Sequence, residues 1–299
     1  MRHVDLRSLK RRALAFVPFG KADETPHDPA GGVEHVGLKL PNARSKMGRL
    51  ILQLPHPLIN PDANLVVLYS AKSACTTVLV WFLHHLGHAA AARDFHPWPH
   101  RYCNLVYYQS SLYRRAAQLD LTGFKVVKVI RDPYLRAASS FRHVVRYSLF
   151  EDGMARKLSD SRLERDGLSF SAFLDFLEKT DLTRCDPHYA LQHHPIEAQL
   201  PVSHLINVSR EDLFARLNEV EREIGLPASD VASSPWVKRL EERYNKASDD
   251  FAGIADLYTR RLKREQALNG PWPRYDALLT PEARDRVSRL YAADLRAYP

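Results

Sequence analysis

Lys72 lies in the segment Ser70-Ala71-Lys72-Ser73-Ala74-Cys75-Thr76-Thr77, between an apolar run and an amphipathic one. One ammonium and several hydroxyls at a strand-to-helix junction can seat an anion. The free N–H groups of the helix's first turn and the positive end of its dipole converge on the same spot. The triphosphate loop GxxxxGK[ST] is absent: its glycines are missing and the lysine precedes the helix start. Nucleoside triphosphate hydrolysis is therefore disfavoured. The plain alternative is an ordinary strand–helix turn with a solvated lysine.

A second corner has the same character. Arg131 closes the apolar run FKVVKVI, Asp132 and Pro133 follow, and Arg136, Ser139 and Arg142 come at steps of three. Such steps put the last three residues on one helix flank. Arg131 supplies forked charged donors and Ser139 a hydroxyl, a pair able to grip a phosphate. The alternative here is a basic helix face capped by Asp132. Between the two corners, DFHPWPHRYCNL is rich in histidine and aromatic residues and includes His96 and His100. A hydroxyl that attacks needs a base near its proton, and histidine suits that role. The chain has 14 histidines, so most must serve packing or surface; His84 and His85 read as plain helix positions. Trp81, Trp98, Tyr107 and Tyr108 either stack on a ligand or fill the core.

These residues need a scaffold. The short apolar runs NLVVLY and FKVVKVI read as buried strands at 64–69 and 124–130, and HLINVS as a third strand at 204–209. Helical patterns cover Thr76 to Leu86, 109–119, Tyr134 to Tyr147, and SFSAFLDFLEK behind its serine cap. The helix after the third strand stops at Gly225, and LTPEARDRVSRLYAADLRAY closes the chain with a threonine cap and Pro281 at the first helical position. Residues 150–168 read as a charged, loop-rich stretch. Alternating strands and helices predict an α/β fold: a P-loop-like parallel sheet with helices on both faces and ligands at the carboxyl ends of its strands. Residues 1–60 read as an irregular arm and 61–299 as one domain.

The totals agree with such a scaffold. A chain of 299 residues with a net charge of +8 favours anionic partners. Three cysteines without a CxxC pair argue against a disulfide framework or a zinc site and for a reducing compartment. No run reaches membrane-spanning length, and the basic start before ALAFVPFG lacks a clean cleavage site. A cytoplasmic protein is expected, with possible peripheral membrane contact through that basic N-terminus.

AKSACTT followed by VIRDPYLRAASSFR resembles the two donor-binding motifs of sulfotransferases that use 3'-phosphoadenosine 5'-phosphosulfate (PAPS), most nearly the carbohydrate branch with the chondroitin and HNK-1 enzymes. In the first motif Lys72, Ala74, Cys75 and Thr76 match, while Ala71 replaces proline and Thr77 replaces asparagine. In the second, Arg131, Asp132, Pro133, Tyr134, Arg136, Ser139, Phe141 and Arg142 match. Weaker echoes are SFSAFLDFL, DPHYALQ with Tyr189 for tryptophan, INVSREDLFARL, NKAS around Lys246, and LYAADLRAY. The likeness spans about 65–298 and leaves the first 60 residues without a counterpart.

The resemblance implies an O-sulfotransferase (a transferase of the EC 2.8.2 type) with the sulfotransferase fold. PAPS is then the donor, with no metal. Lys72, with the loop residues Ser73, Ala74, Cys75, Thr76 and Thr77, would hold the 5'-phosphosulfate, and Arg131 with Ser139 the 3'-phosphate. Lys246 would join the donor site, and Lys72 would also stabilise the leaving phosphate. Arg136 is expected to be structural. His100 sits in an H-x-x-x-N-L setting like that of the carbohydrate enzymes and is the expected base, with His96 second. His96, His188 and Arg142 are expected at the acceptor. The acceptor is expected to be a carbohydrate or glycan; a lipid or small metabolite is the alternative, as is a non-catalytic glycan-binding protein on the same scaffold. No aromatic–basic signature for nucleic acid is present. Family members of the Golgi carry a membrane anchor, so a chain without one points to a bacterial cytoplasmic enzyme.

Overall fold

A computed structural model describes residues 43–148, 152–242, 251, 254, 256–268 and 270–299. Its centre is a four-stranded sheet in the order β1 (Leu58–Asn60), β2 (Leu65–Tyr69), β3 (Lys125–Ile130) and β4 (His204–Asn207). The β2–β3 and β3–β4 pairs are parallel, and the registers Tyr69↔Val129 and Ile130↔Asn207 bring the three carboxyl ends to one edge. Every residue of β2 is buried, as is all of β3 but Lys125. Continuous burial of this kind follows when helices cover both faces, and it explains why these runs are largely apolar, with the buried Lys128 paired to Glu197 at 2.8 Å.

The first strand corrects the sequence reading in two ways. The stretch 1–60 was expected to be an irregular arm, yet its last part builds the core. Ser45 caps a helix over Lys46–Ile51, and Leu58 and Ile59 are 0 % exposed in β1. Each such side chain contributes about 1.5–3 kcal/mol on burial. The sheet is also mixed, since β1 runs antiparallel to β2 at the edge. Three residues are too few to show a period in sequence. What fixes β1 comes from elsewhere in the chain: the buried Tyr107 hydroxyl accepts from the Ile59 amide at 2.9 Å and donates to its carbonyl at 2.8 Å.

The helices begin and end where their caps dictate. Ser169 accepts from Ala172 N–H before Phe170–Glu178, Asp212 from Ala215 N–H before Leu213–Ile224, and Thr280 from Ala283 N–H before Pro281–Leu290. Gly225 stops the second of these with φ 75°. Two expected elements differ. The stretch 150–168 contains helices at Asp152–Leu158 and Leu163–Asp166. The closing helix is broken at Tyr291, with φ −108° and ψ 26°, and resumes as Ala292–Ala297. Tyr291 is buried and donates its hydroxyl to the Tyr189 carbonyl at 2.8 Å, so tertiary packing outweighs helix continuity there.

The apolar residues form two clusters. One packs Trp81, Phe82 and Tyr107 with the sheet; the other packs Phe141, Phe170, Phe173 and Trp272 between the second-corner helix and the closing helices. Among the described residues no helix is long and apolar enough to cross a membrane.

Candidate active site

The loop after β2 solves a backbone problem without glycine. Lys72 has φ 69° and Ala74 φ 56°, both in the left-handed region. That conformation costs about 1–2 kcal/mol for a residue bearing a Cβ. Left-handed residues among right-handed ones turn successive N–H groups to one side, a concavity that receives anions. The helix Cys75–His85 follows, with Ala74 at its cap position and no side-chain cap, so its first N–H groups are open to a ligand. Thr76 and Thr77 lie in that first turn, largely buried.

Arg131 leaves β3 directly beside this loop. Its guanidinium Nη1 lies 3.4 Å from the Lys72 carbonyl, so the two corners meet at one edge of the sheet. Asp132 spends its carboxylate on the N–H groups of Tyr134 and Leu135, at 2.9 and 3.1 Å, and caps Pro133–His143. Ser139, on that helix, accepts from the Tyr275 hydroxyl at 3.5 Å. The Arg131 guanidinium sits 5.4 Å over the Tyr275 ring, and that of Arg142 is 5.5 Å over Trp272.

Cations gather where the two corners meet. Burial lowers the Lys72 ammonium below its usual pKa; Tyr275 and Cys75 oppose the shift, and Arg131 and Arg142 add to it. Burial would raise the Tyr275 phenol, but Lys72, the Ser139 hydroxyl, Arg142 and Arg131 together bring it below its ordinary value. Among the described residues neither Lys72 nor Arg131 makes an ion pair, and Ser70 Oγ is buried at the same edge without a hydrogen-bond partner. Two cations without an ion-pair partner at one edge fit an anionic ligand.

His100 reaches the loop from the short helix Pro99–Tyr102. Its Nε2 is 3.3 Å from Thr76 Oγ1 and 3.7 Å from Cys75 Sγ, and its ring stacks on Trp98 with centroids 5.5 Å apart. Burial would raise the Cys75 thiol, but His100, by charge and hydrogen bond, and Lys72 bring it down to about 6. His188 stacks on His143 at 3.6 Å, and Asp186 Oδ1 holds both its Nδ1 and its backbone N–H at 2.7 Å. His143 is driven well below the usual histidine range by burial first, then by His188, Lys72, Arg146 and His100. The His143 ring thus feels the charge of Lys72.

Other expected site residues have different placements. The Ser73 side chain is 0 % exposed and donates to Gln192 Oε1 at 3.2 Å, so its hydroxyl faces the scaffold. His96 ends the helix Ala89–Phe95, and its Nδ1 accepts from the Trp98 N–H at 2.9 Å. Lys246 lies outside the described residues. Arg136 is 1 % exposed and donates to the carbonyls of Ala71, Ala190 and Pro187 at 3.0, 2.7 and 3.2 Å, a structural role. Trp81, Tyr107 and Tyr108 are core residues, and His85 pairs with Glu221 at 2.9 Å. Two residues where the corners meet escaped sequence reasoning. Tyr275 lies far along the chain in an unpatterned stretch, and Gln192 ends the DPHYALQ echo with no chemistry of its own to announce it.

A model of the sulfotransferase family matches residues 55–299. The chain belongs to the sulfotransferase family. No curated protein and no solved structure matches it. This sulfotransferase is a transferase of sulfuryl groups with a mixed α/β fold, and the matched span begins just ahead of β1.

Proposed function

We propose that this sulfotransferase moves a sulfuryl group from PAPS to a hydroxyl of a carbohydrate or glycan. The observation that carries the reading is the 3.4 Å approach of Arg131 Nη1 to the Lys72 carbonyl, which brings two anion corners together. The loop N–H groups with Thr76 and Thr77 take the 5' end of the donor, and Arg131 with Ser139 takes the 3'-phosphate. PAPS supplies an activated sulfuryl group whose departure leaves a phosphate. Lys72 stabilises the negative charge that gathers on the bridging oxygen. His100, whose Nε2 faces the loop 3.3 Å from Thr76 Oγ1, is the base that accepts the proton of the attacking hydroxyl once the acceptor is bound beside it. Holding both reactants in line lowers the barrier, with side-chain cations meeting the charge.

The acceptor assignment rests on the likeness of the two motifs to the carbohydrate branch and on the net charge of +8, which suits an acidic glycan. His188 and Arg142 are assigned to the acceptor side. The three thiols are unpaired, which suits a reducing compartment, and we place the enzyme in the cytoplasm. The test is incubation with labelled PAPS and a panel of glycans, lipids and phenols. Label passing to a glycan supports the reading. Label passing only to a lipid or phenol overturns the acceptor class, and no transfer to any of them overturns the activity.

A further inference from the structure

Gln192 lies beneath the two corners, 3 % exposed, and uses all four of its polar atoms. Its Oε1 accepts from the Arg131 N–H at 2.9 Å, and its Nε2 donates to the Arg131 carbonyl at 2.9 Å. The pairing of β3 with β4 ends at Ile130↔Asn207, so the side-chain amide grips Arg131 where the ladder stops, as a strand partner would. The same Oε1 accepts from Ser73 Oγ at 3.2 Å, in the middle of the first anion loop. One carboxamide thus touches both corners.

The residue is itself fixed from behind. Its backbone N–H donates to both carboxylate oxygens of Asp294, at 2.9 and 3.0 Å, and its carbonyl accepts from Lys128 Nζ at 2.5 Å. Lys128 in turn pairs with Glu197 at 2.8 Å. Asp294 is 1 % exposed and follows the break at Tyr291. Every partner of the carboxamide is buried or part of the scaffold, so its place is set before any ligand arrives.

We propose that Gln192 is the positioning residue that sets the distance between the two anion corners, so that the preference for a nucleotide phosphorylated at both ends depends on it. The inference rests on the proposed donor site. A ligand gripped at two points gains from the second contact only when the span is already correct. A ligand gripped at one point does not sense the span. Gln192 touches neither reactant in this scheme; it acts through Ser73 and Arg131.

The test measures the affinities of adenosine 3',5'-bisphosphate, 5'-AMP and adenosine 3'-monophosphate for the full-length wild type and for Ser73→Ala, which removes only the link to the first loop. Loss of one such hydrogen bond is expected to weaken the bisphosphate about fivefold. Both monophosphates are expected to stay within about twofold of wild type, since each single contact is left intact. Gln192→Ala and Gln192→Glu form the second pair. Both should lose the bisphosphate preference, and raise KM for the donor more than they lower kcat. If Gln192→Ala fails to fold, Ser73→Ala and Gln192→Glu still decide the matter. Equal weakening of all three nucleotides by Ser73→Ala, or no change in any, overturns the positioning role while the donor site stands. A wild type with no preference for the bisphosphate removes the donor site and this inference together.

Discussion

Arg131 and Lys72, 59 residues apart in sequence, meet at the carboxyl edge of the sheet, Nη1 of one 3.4 Å from the backbone oxygen of the other. The contact follows from the register: β2 and β3 run parallel and end together, so the residues that leave them turn into the same space.

If this space holds a bis-phosphorylated adenosine, adenosine 3',5'-bisphosphate raises the melting temperature more than AMP or ATP at equal concentration. Differential scanning fluorimetry reads the difference. Equal shifts from all three would remove the 3'-phosphate from Arg131 and Ser139.

Lys72→Ala and Arg131→Ala should separate in their kinetics. The first removes charge stabilisation of the leaving group and lowers kcat about 10²–10³-fold. The second removes charged hydrogen bonds to a ground-state phosphate and weakens donor binding about 10–100-fold, with a smaller change in kcat. Steady-state rates with donor titrations distinguish them, and a reversed pattern contradicts the assignment.

His100→Ala is expected to lower transfer by about 10²–10⁴-fold while calorimetry still shows nucleotide binding. Near-native turnover in that variant would place the base elsewhere. The ring of His188, oriented by Asp186 at 2.7 Å, is then the next to test.

Cys75 should be the reactive thiol. With its pKa brought down to about 6, it is largely thiolate at neutral pH, and its alkylation rate should climb as pH rises through that value. Burial pushes Cys103 up, and pushes Cys185 up to about 12, so both stay protonated and slow. Peptide mapping after brief iodoacetamide treatment at pH 5, 6, 7 and 8 checks this. In His100→Ala the midpoint should move upward, because the imidazole that favours the thiolate is gone. Labelling spread evenly over the three cysteines would contradict it.

Arg136→Ala should unfold the protein more readily, and it should also loosen the loop that it holds through the Ala71 carbonyl. The variant leaves the carbonyls of Ala71, Ala190 and Pro187 without their charged donor, a loss of roughly 3 kcal/mol or more. Urea denaturation measures it, and an unchanged midpoint would contradict the structural role.

Short apolar-rich runs made β2, β3 and β4 legible in sequence, and Ser169, Thr280 and Gly225 announced helix ends through their own chemistry. The positions of Lys72 and Arg131 at strand ends were legible because the apolar runs stop just before them. β1 was not, since its place is set by Tyr107 from 48 residues away. The break at Tyr291 was hidden because a buried partner imposes it against a good helical pattern. Gln192 and Tyr275 were hidden because what matters about them is which distant backbone or cation they meet. The structural role expected of Arg136 gains its physical reason from its partners, the carbonyls of Ala71, Ala190 and Pro187.

The cradle at Lys72 and Ala74 reaches its curvature with side-chain-bearing residues where other anion loops use glycine. Chains that rely on glycine keep such a loop supple and let the guest complete its shape. Here the conformational expense falls on the folding reaction, and Arg136 and Gln192 clamp the result from below. A donor bound at the proposed site would meet a cradle already held in shape, and little of its binding energy would go into ordering the protein.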